Sequence, residues 1–536
     1  MATITVVGSG ASGVHFALTA LQRGHRVRML DVGKTGPAPV RPEDSFTQLK
    51  QNLASPEDYL LGRDFESVVY PDASSEFYGF PPGKDYIFEP VPQYQVEARE
   101  FAPLSSFARG GLAQAWTGGS YPFNDAELSE FPFDYEDLAP FYGAVAGRIG
   151  MTGSADDLAE FIPMHAELSD PLRLDPHSVQ LMQAYARRRD ALRDGQRCHL
   201  GHARLAVLNQ DRDGRSACAY LGRCLWGCPI HALYTPQLTL DECRRHSDFE
   251  YVPDVYVSHF TFGDDRRIDS VCFERLDGGE SESRPVETLV LAAGALASSR
   301  MYLESIYRAT GRVERLTGLM DNRQVLMPFV NVGRIGTRSD PDVYQYNQVA
   351  MGLEEDAPEE YVHCLVTTLS TALIHPIVQG VPFDLKTSLR LFKNVHAALG
   401  LVNVNLHDRR RDESYVTLDP EGPGGRPRVV VAYSTPEGES RRLRATMKRV
   451  KRALRTLGCI VPPGMAHVRP MGASVHYAGT LPMSESAEPR TVAPDCRSHD
   501  FENLYLVDGA TFPFLPAKNI TFTLMANATR VAETAF

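Results

Sequence analysis

Two sets of residues have the types and spacing to do chemistry. One is Gly8-Ser-Gly10-Ala11-Ser12-Gly13, and the other, near the far end of the chain, is His476 with Asn519. A glycine triplet of this pattern lets backbone turn tightly and come close to a pyrophosphate, whose charge sits at the positive end of the helix that follows. Asp31, eighteen residues beyond Gly13, is where a ribose hydroxyl would find its acceptor, and it would repel a 2′-phosphate. These residues point to an ADP-containing cofactor and leave FAD and NAD both open. An imidazole can accept a proton near neutral pH and an amide can hold the same oxygen. Taken alone, however, His476 beside Tyr477 and Gly479 also reads as a turn residue, and Asn519 as a helix N-cap.

The elements around the glycines are the ones the fingerprint requires. Thr3-Ile-Thr-Val-Val7 reads as a buried strand. Val14, Phe16, Ala17, Leu18, Ala20 and Leu21 lie at helical spacing up to Arg23, and Gly24 closes that helix. Arg26-Val-Arg-Met-Leu30 is the next strand, ending at Asp31. Residues 34–100, rich in proline and aromatics, read as an insertion or lid, and 126–195 as two or three surface helices. Strand character returns at Phe249–Phe262, Ser270–Glu274 and Thr288–Gly294, the last running into a second strand-glycine-helix crossover at Ala295. Alternation at Glu360–Thr368 and Arg428–Tyr433 predicts an antiparallel sheet within 321–470. The basic run Glu439–Leu454 places Leu443, Met447, Val450 and Leu454 three and four apart, as in a solvated amphipathic helix.

Length and composition narrow the classes. A chain of 536 residues with 43% hydrophobic and 23% charged residues suits a globular protein of several domains. A net charge of −12 argues against nucleic acid as a partner. The longest apolar stretch, Leu289–Ala297, is about half of what a bilayer span needs, and with the first strand starting at residue 3 secretion by an N-terminal signal is not expected. Nine cysteines fit a reducing cytoplasm, and a cytoplasmic location is expected. Cys218, Cys224 and Cys228 lack the paired short gaps of a structural zinc site and read as small buried hydrophobes or a redox pair; no metal is expected.

Five separated stretches together resemble the glucose-methanol-choline oxidoreductases, flavoproteins that oxidise alcohols. They are the fingerprint ending at Asp31, the Gly110-Gly111 to Gly119 segment, Ala292–Ser299, His476–Thr480, and Asn503–Gly509 with Asn519-Ile-Thr521. The resemblance implies an α/β fold: a discontinuous Rossmann-like FAD-binding domain of residues 1–33, 101–320 and 466–536, and an antiparallel, α+β substrate domain of residues 321–465. It implies FAD rather than NAD, with Asp31 on the adenosine ribose and the backbone of Val257 on adenine. Trp116, Thr117 and Gly118 would lie against the isoalloxazine, with Gly111 also in the cofactor site. Ala293, Gly294, Asp508, Gly509, Ile520 and Thr521 would complete the cofactor site.

Ala115 stands where pyranose-oxidase-like members carry a histidine joined covalently to the flavin, so non-covalent FAD is expected. Pro482 and Ile520 stand where the family often has arginine and proline. The implied chemistry is oxidation of a CH–OH group, with His476 as general base, Asn519 on the same oxygen, and hydride passing to flavin N5. The expected substrate is a sugar, glycoside or polyol, the electron acceptor oxygen, a quinone or a partner protein. A hydrophobic alcohol or sterol is the alternative substrate, and a non-catalytic flavin-binding protein or an NAD-dependent dehydrogenase the alternative function.

Overall fold

A computed structural model of the chain describes residues 2–64, 81–164, 167–278, 281–369 and 384–536. Residues 65–80 of the expected lid, and 370–383 of the expected substrate region, lie outside the described residues.

The β-branched runs read near both ends meet in one five-stranded parallel sheet. Its order is Leu504–Leu506, Thr288–Leu291, Thr3–Val7, Arg26–Leu30, Phe249–Val252. Both faces are covered, which is why its strands read as nearly continuous apolar runs: Ile4, Val6 and Leu289–Leu291 are all fully buried. The fingerprint helix, Ala11–Gln22, packs on the terminal helix, Thr521–Thr534, so the two ends of the chain share one core. Gly24 stops the fingerprint helix with φ +84°, as expected.

The run 249–262 is not one strand. Pro253 offers no N–H and Asp254 takes a left-handed φ of 60°, so the chain breaks there. Phe249–Val252 stays in the parallel sheet, while Val255–Phe262 begins a three-stranded antiparallel sheet with Ile268–Arg275 and Glu282–Pro285.

A second core lies on a seven-stranded sheet whose strands pair antiparallel. It runs Cys459–Ile460, Arg323–Asn331, Leu399–Leu406, Val362–Thr368, Val349–Leu353, Cys198–His202, with His467–Val468 also on Arg323–Asn331. The antiparallel expectation holds for this region, but pairing redistributes its strands. Cys198–His202, from within 101–320, closes the far edge, and the helices Pro176–Arg187 and Arg189–Gln196 pack with it. Arg428–Ala432 leaves for a four-stranded sheet, where it pairs parallel with Val96–Arg99 and buries Val429 and Val431 in the first core.

The basic helix, Glu439–Thr456, is amphipathic as read: Leu443, Val450 and Leu454 are buried against the seven-stranded sheet, and Met447 packs beside them. Of the three α-helices among the described residues between 126 and 196, Tyr135–Ile149 is more than a surface element. It buries Leu138, Tyr142, Val145 and Ile149 and packs on the terminal helix.

Candidate active site

One cavity of about 580 Å³ runs from the fingerprint turn to His476 and Asn519. At the first end, backbone makes the walls. Gly8 has φ +102°, and a Cβ on it would stand 2.7 Å from the Ala292 carbonyl oxygen. A Cβ on Gly10 would meet nothing nearer than 3.9 Å, so this glycine keeps the cavity open. Gly13 does not border the cavity; its Cβ would fall 2.1 Å from the Gly8 carbonyl oxygen, and its role is close packing of helix on turn. Gly10 caps the fingerprint helix without a side-chain bond, leaving the first-turn N–H groups, at Ala11 and Ser12, to the cavity.

Asp31 borders this end and accepts from the hydroxyls of Ser9 and Tyr251, the latter at 2.8 Å. Loss of hydration raises its carboxyl to about 6, against the pull of those two hydrogen bonds. Val257 lines the same end, at a register irregularity of its strand.

The glycine-rich segment crosses the fingerprint turn. Gly111 has φ +63°, with its Cβ position only 3.3 Å from the Gly10 Cα, and the Gly110 N–H donates to the Ser9 hydroxyl at 2.9 Å. Trp116 and Thr117 line the cavity, Trp116 fixed by its indole N–H to the Tyr234 carbonyl at 2.7 Å. Gly118 does not line it: with φ +71° it turns its free side to Leu233.

Ala293, Gly294, Asp508 and Gly509 form a junction along the cavity. Asp508 accepts from the N–H of Gly294 at 2.9 Å, the Ser298 hydroxyl at 2.5 Å and the N–H of Ala510 at 3.0 Å. Its carboxylate thus ties the crossover to the last strand. Gly509 has no room for a side chain, because a Cβ would lie 2.3 Å from the Tyr477 carbonyl oxygen on the segment that carries His476.

The other end is built from side chains. Asp321, fully buried, accepts from the Gly472 N–H at 2.6 Å and from the Ser474 hydroxyl, and Ser474 in turn accepts the His476 N–H at 3.1 Å. Burial, helped by Asp408, raises Asp321 to about 7. Val475 is held at φ +59°, a costly conformation for a β-branched residue. The turn therefore presents His476 in a fixed pose, with Nδ1 2.8 Å from Asn322 Oδ1 and Nε2 3.4 Å from Asn519 Nδ2. Burial, and then the charge of Arg469, lowers this imidazole to about 4.

Asn519 is not the N-cap expected from its position. The terminal helix is preceded by Ile520 at φ −83° and ψ −16°, with no side-chain cap, while the Asn519 amide turns to His476. Lys518 fixes this approach. Wholly buried, its ammonium donates to Glu127 at 2.5 Å, to the Phe161 carbonyl at 2.7 Å and to the Pro122 carbonyl at 3.0 Å. Ile520 and Thr521 also line the cavity.

Asn322, Asp321 and the Lys518–Glu127 pair were not singled out from the sequence. Their partners lie far off in the chain, 154 residues for Asn322 and His476, and nothing in the local pattern marks them. The nine cysteines are free, and Cys218, Cys224 and Cys228 pack in a small apolar cluster with Leu233 and Tyr344, as hydrophobes would. Among the described residues no helix is long and apolar enough to cross a membrane.

Residues 410–528 match the family model described as GMC oxidoreductase. That match supports an FAD-dependent, alcohol-oxidising enzyme similar to the glucose-methanol-choline oxidoreductases. Across 99% of its length it is 23% identical to paromamine 6'-oxidase of Streptomyces fradiae and 22% identical to 6'''-hydroxyparomomycin C oxidase of Streptomyces lividus, covering 90% of each. Its fold is similar to that of pyridoxine 4-oxidase from Mesorbium loti, with a TM-score of 0.58 at 16% identity over 99% of both chains.

Proposed function

We propose that the cavity takes FAD along its length, without a covalent bond, and that the enzyme oxidises a CH–OH group of a sugar, glycoside or polyol. The cavity chemistry fits the cofactor. The open side of Gly10 and the uncapped N–H groups at Ala11 and Ser12 suit a pyrophosphate, Asp31 keeps an oxygen for ribose, and Val257 offers backbone to adenine. Gly111, Trp116 and Thr117 flank the middle, and Ala115 has no group that could bond to a flavin. The uncapped starts of the crossover helix, Ala295–Thr310, and of the terminal helix favour negative charge near Gly294, Ile520 and Thr521. In this reading residues 1–33, 101–320 and 466–536 form the FAD-binding part, 321–465 supply most of the substrate part, and 34–100 is an insertion.

Bound FAD supplies the acceptor for the hydride that leaves the carbinol carbon. His476 takes the hydroxyl proton at Nε2, and Asn519 holds the same oxygen and stabilises charge developing on it. The observation that carries this is the convergence of His476 Nε2 and Asn519 Nδ2, 3.4 Å apart, on the cavity wall. Gln324, Asn347, Thr367 and Asn403 add neutral hydrogen-bonding side chains to that end, which favours a polyhydroxylated substrate. The names of the two Streptomyces relatives, oxidases of aminoglycoside compounds, agree with that class.

His476→Ala should slow flavin reduction by about 10²-fold or more and leave FAD bound. An unchanged rate of anaerobic reduction would refute the assignment of the base.

A further inference from the structure

We infer that Asn322 is a positioning residue that fixes the tautomer of His476, keeping the ring proton on Nδ1 and the lone pair of Nε2 toward the cavity. The inference rests on His476 being the base and adds how a buried ring is kept ready to act as one.

Asn322 is 1% exposed, and its amide group has one feasible orientation. Nδ2 donates to the Leu406 carbonyl at 3.0 Å and to the Pro516 carbonyl at 2.9 Å. Turning the amide over would set its oxygen against two carbonyl oxygens, which accept only. The atom 2.8 Å from His476 Nδ1 is therefore Oδ1, itself only an acceptor, so Nδ1 must carry the hydrogen. A neutral imidazole has a single N–H, which leaves Nε2 as the basic nitrogen. The contact with Asn519 is compatible with this, since its Nδ2 faces Nε2 at 3.4 Å and a donor there suits a lone pair.

The charged and titratable groups around the ring do not compete for the Nδ1 proton. Arg469 lowers the ring's basicity through its charge, and Asp321 is engaged by Gly472 and Ser474. Asn322 thus does for this histidine what a carboxylate does in other base pairs, but as a neutral acceptor. A neutral partner sets the tautomer while stabilising the imidazolium less than a carboxylate would, and burial with the charge of Arg469 keeps the ring neutral.

The test is nitrogen-15 NMR of histidine-labelled holoenzyme at neutral pH, with the His476→Gln protein used to assign the signal. Nδ1 should appear as a pyrrole-type and Nε2 as a pyridine-type nitrogen; the reverse assignment would overturn the inference. Asn322→Leu, close in size, should reduce its flavin about tenfold or more slowly with D-sorbitol, D-glucose or paromamine, with substrate Kd changed by less than about threefold. Reduction at the wild-type rate by folded, FAD-loaded Asn322→Leu protein would also overturn it. Should that variant not fold, the NMR of the wild-type protein still decides. If the tautomer is as stated but His476→Gln reduces its flavin normally, the base assignment fails and the tautomer lock stands.

Discussion

The two ends of the cavity are built by different means. The fingerprint end is backbone: Gly8, Gly10 and Gly111 bring main chain together within a few ångströms, and N–H groups face the space. The His476 end is side chain, an imidazole and two amides drawn from Asn322, His476 and Asn519 and held by buried anchors at Asp321 and Lys518. Backbone recognition suits a cofactor part that never reacts, since it needs closeness and little else. Proton transfer needs one atom in one protonation state, which only fixed side chains supply.

The glycines offer the sharpest way to break this comparison. Gly13→Ala puts a methyl group 2.1 Å from the Gly8 carbonyl oxygen. It should destabilise the protein by about 1–3 kcal/mol or more in thermal or urea unfolding, whether or not FAD is present. Gly10→Ala has open space and should leave the apo protein's stability within about 0.5 kcal/mol, yet weaken FAD binding by about tenfold in a titration followed by fluorescence. If the two variants behaved alike, packing and cofactor contact would not be separable at this turn.

Asn519 tests the other end. Asn519→Ala should slow flavin reduction about tenfold or more in anaerobic stopped flow, with little loss of stability, because the side chain makes no cap. Lost stability with an unchanged rate would return Asn519 to the helix-cap role.

The smallest effect is that of pH. As the proposed base, His476 can accept a proton only when neutral, and its lowered value of about 4 keeps it neutral through the ordinary range. The reduction rate should be flat above about pH 5.5 and fall as pH drops through about 4. The stability term has the same sign: with the folded value below that of the unfolded chain, His476 contributes fully above about pH 6.5 and loses the contribution between there and about 4. A rate that halves near pH 6.5 would mean an ordinary, hydrated histidine.

The contrast between the ends also explains what could be read before the fold was known. Strand, triplet, helix, strand and acid follow one another within 31 residues, so local pattern was enough for the fingerprint and its parallel sheet. The break at Pro253-Asp254 was legible in principle, but the alternation on both sides outweighed one proline. Cys198–His202 could not be assigned to the second sheet, because its partner, Val349–Leu353, lies about 150 residues on. Of the two readings of Asn519, the cap part fails for a physical reason: asparagine before a helix favours a cap, but here the amide turns to His476. Asn322 and Lys518 act through partners 154 and 391 residues away, where sequence spacing carries no signal.

The central claim is that both ends close on one FAD and act on a polar alcohol. It is tested most directly by the visible spectrum of the purified protein, before and after anaerobic mixing with D-sorbitol, D-glucose and paromamine. Absorption between about 350 and 480 nm that is released into the supernatant on acid precipitation, and that bleaches with at least one of these compounds, is the predicted result. A colourless protein, or yellow colour that stays with the acid precipitate, or a flavin that none of them bleaches, would contradict it.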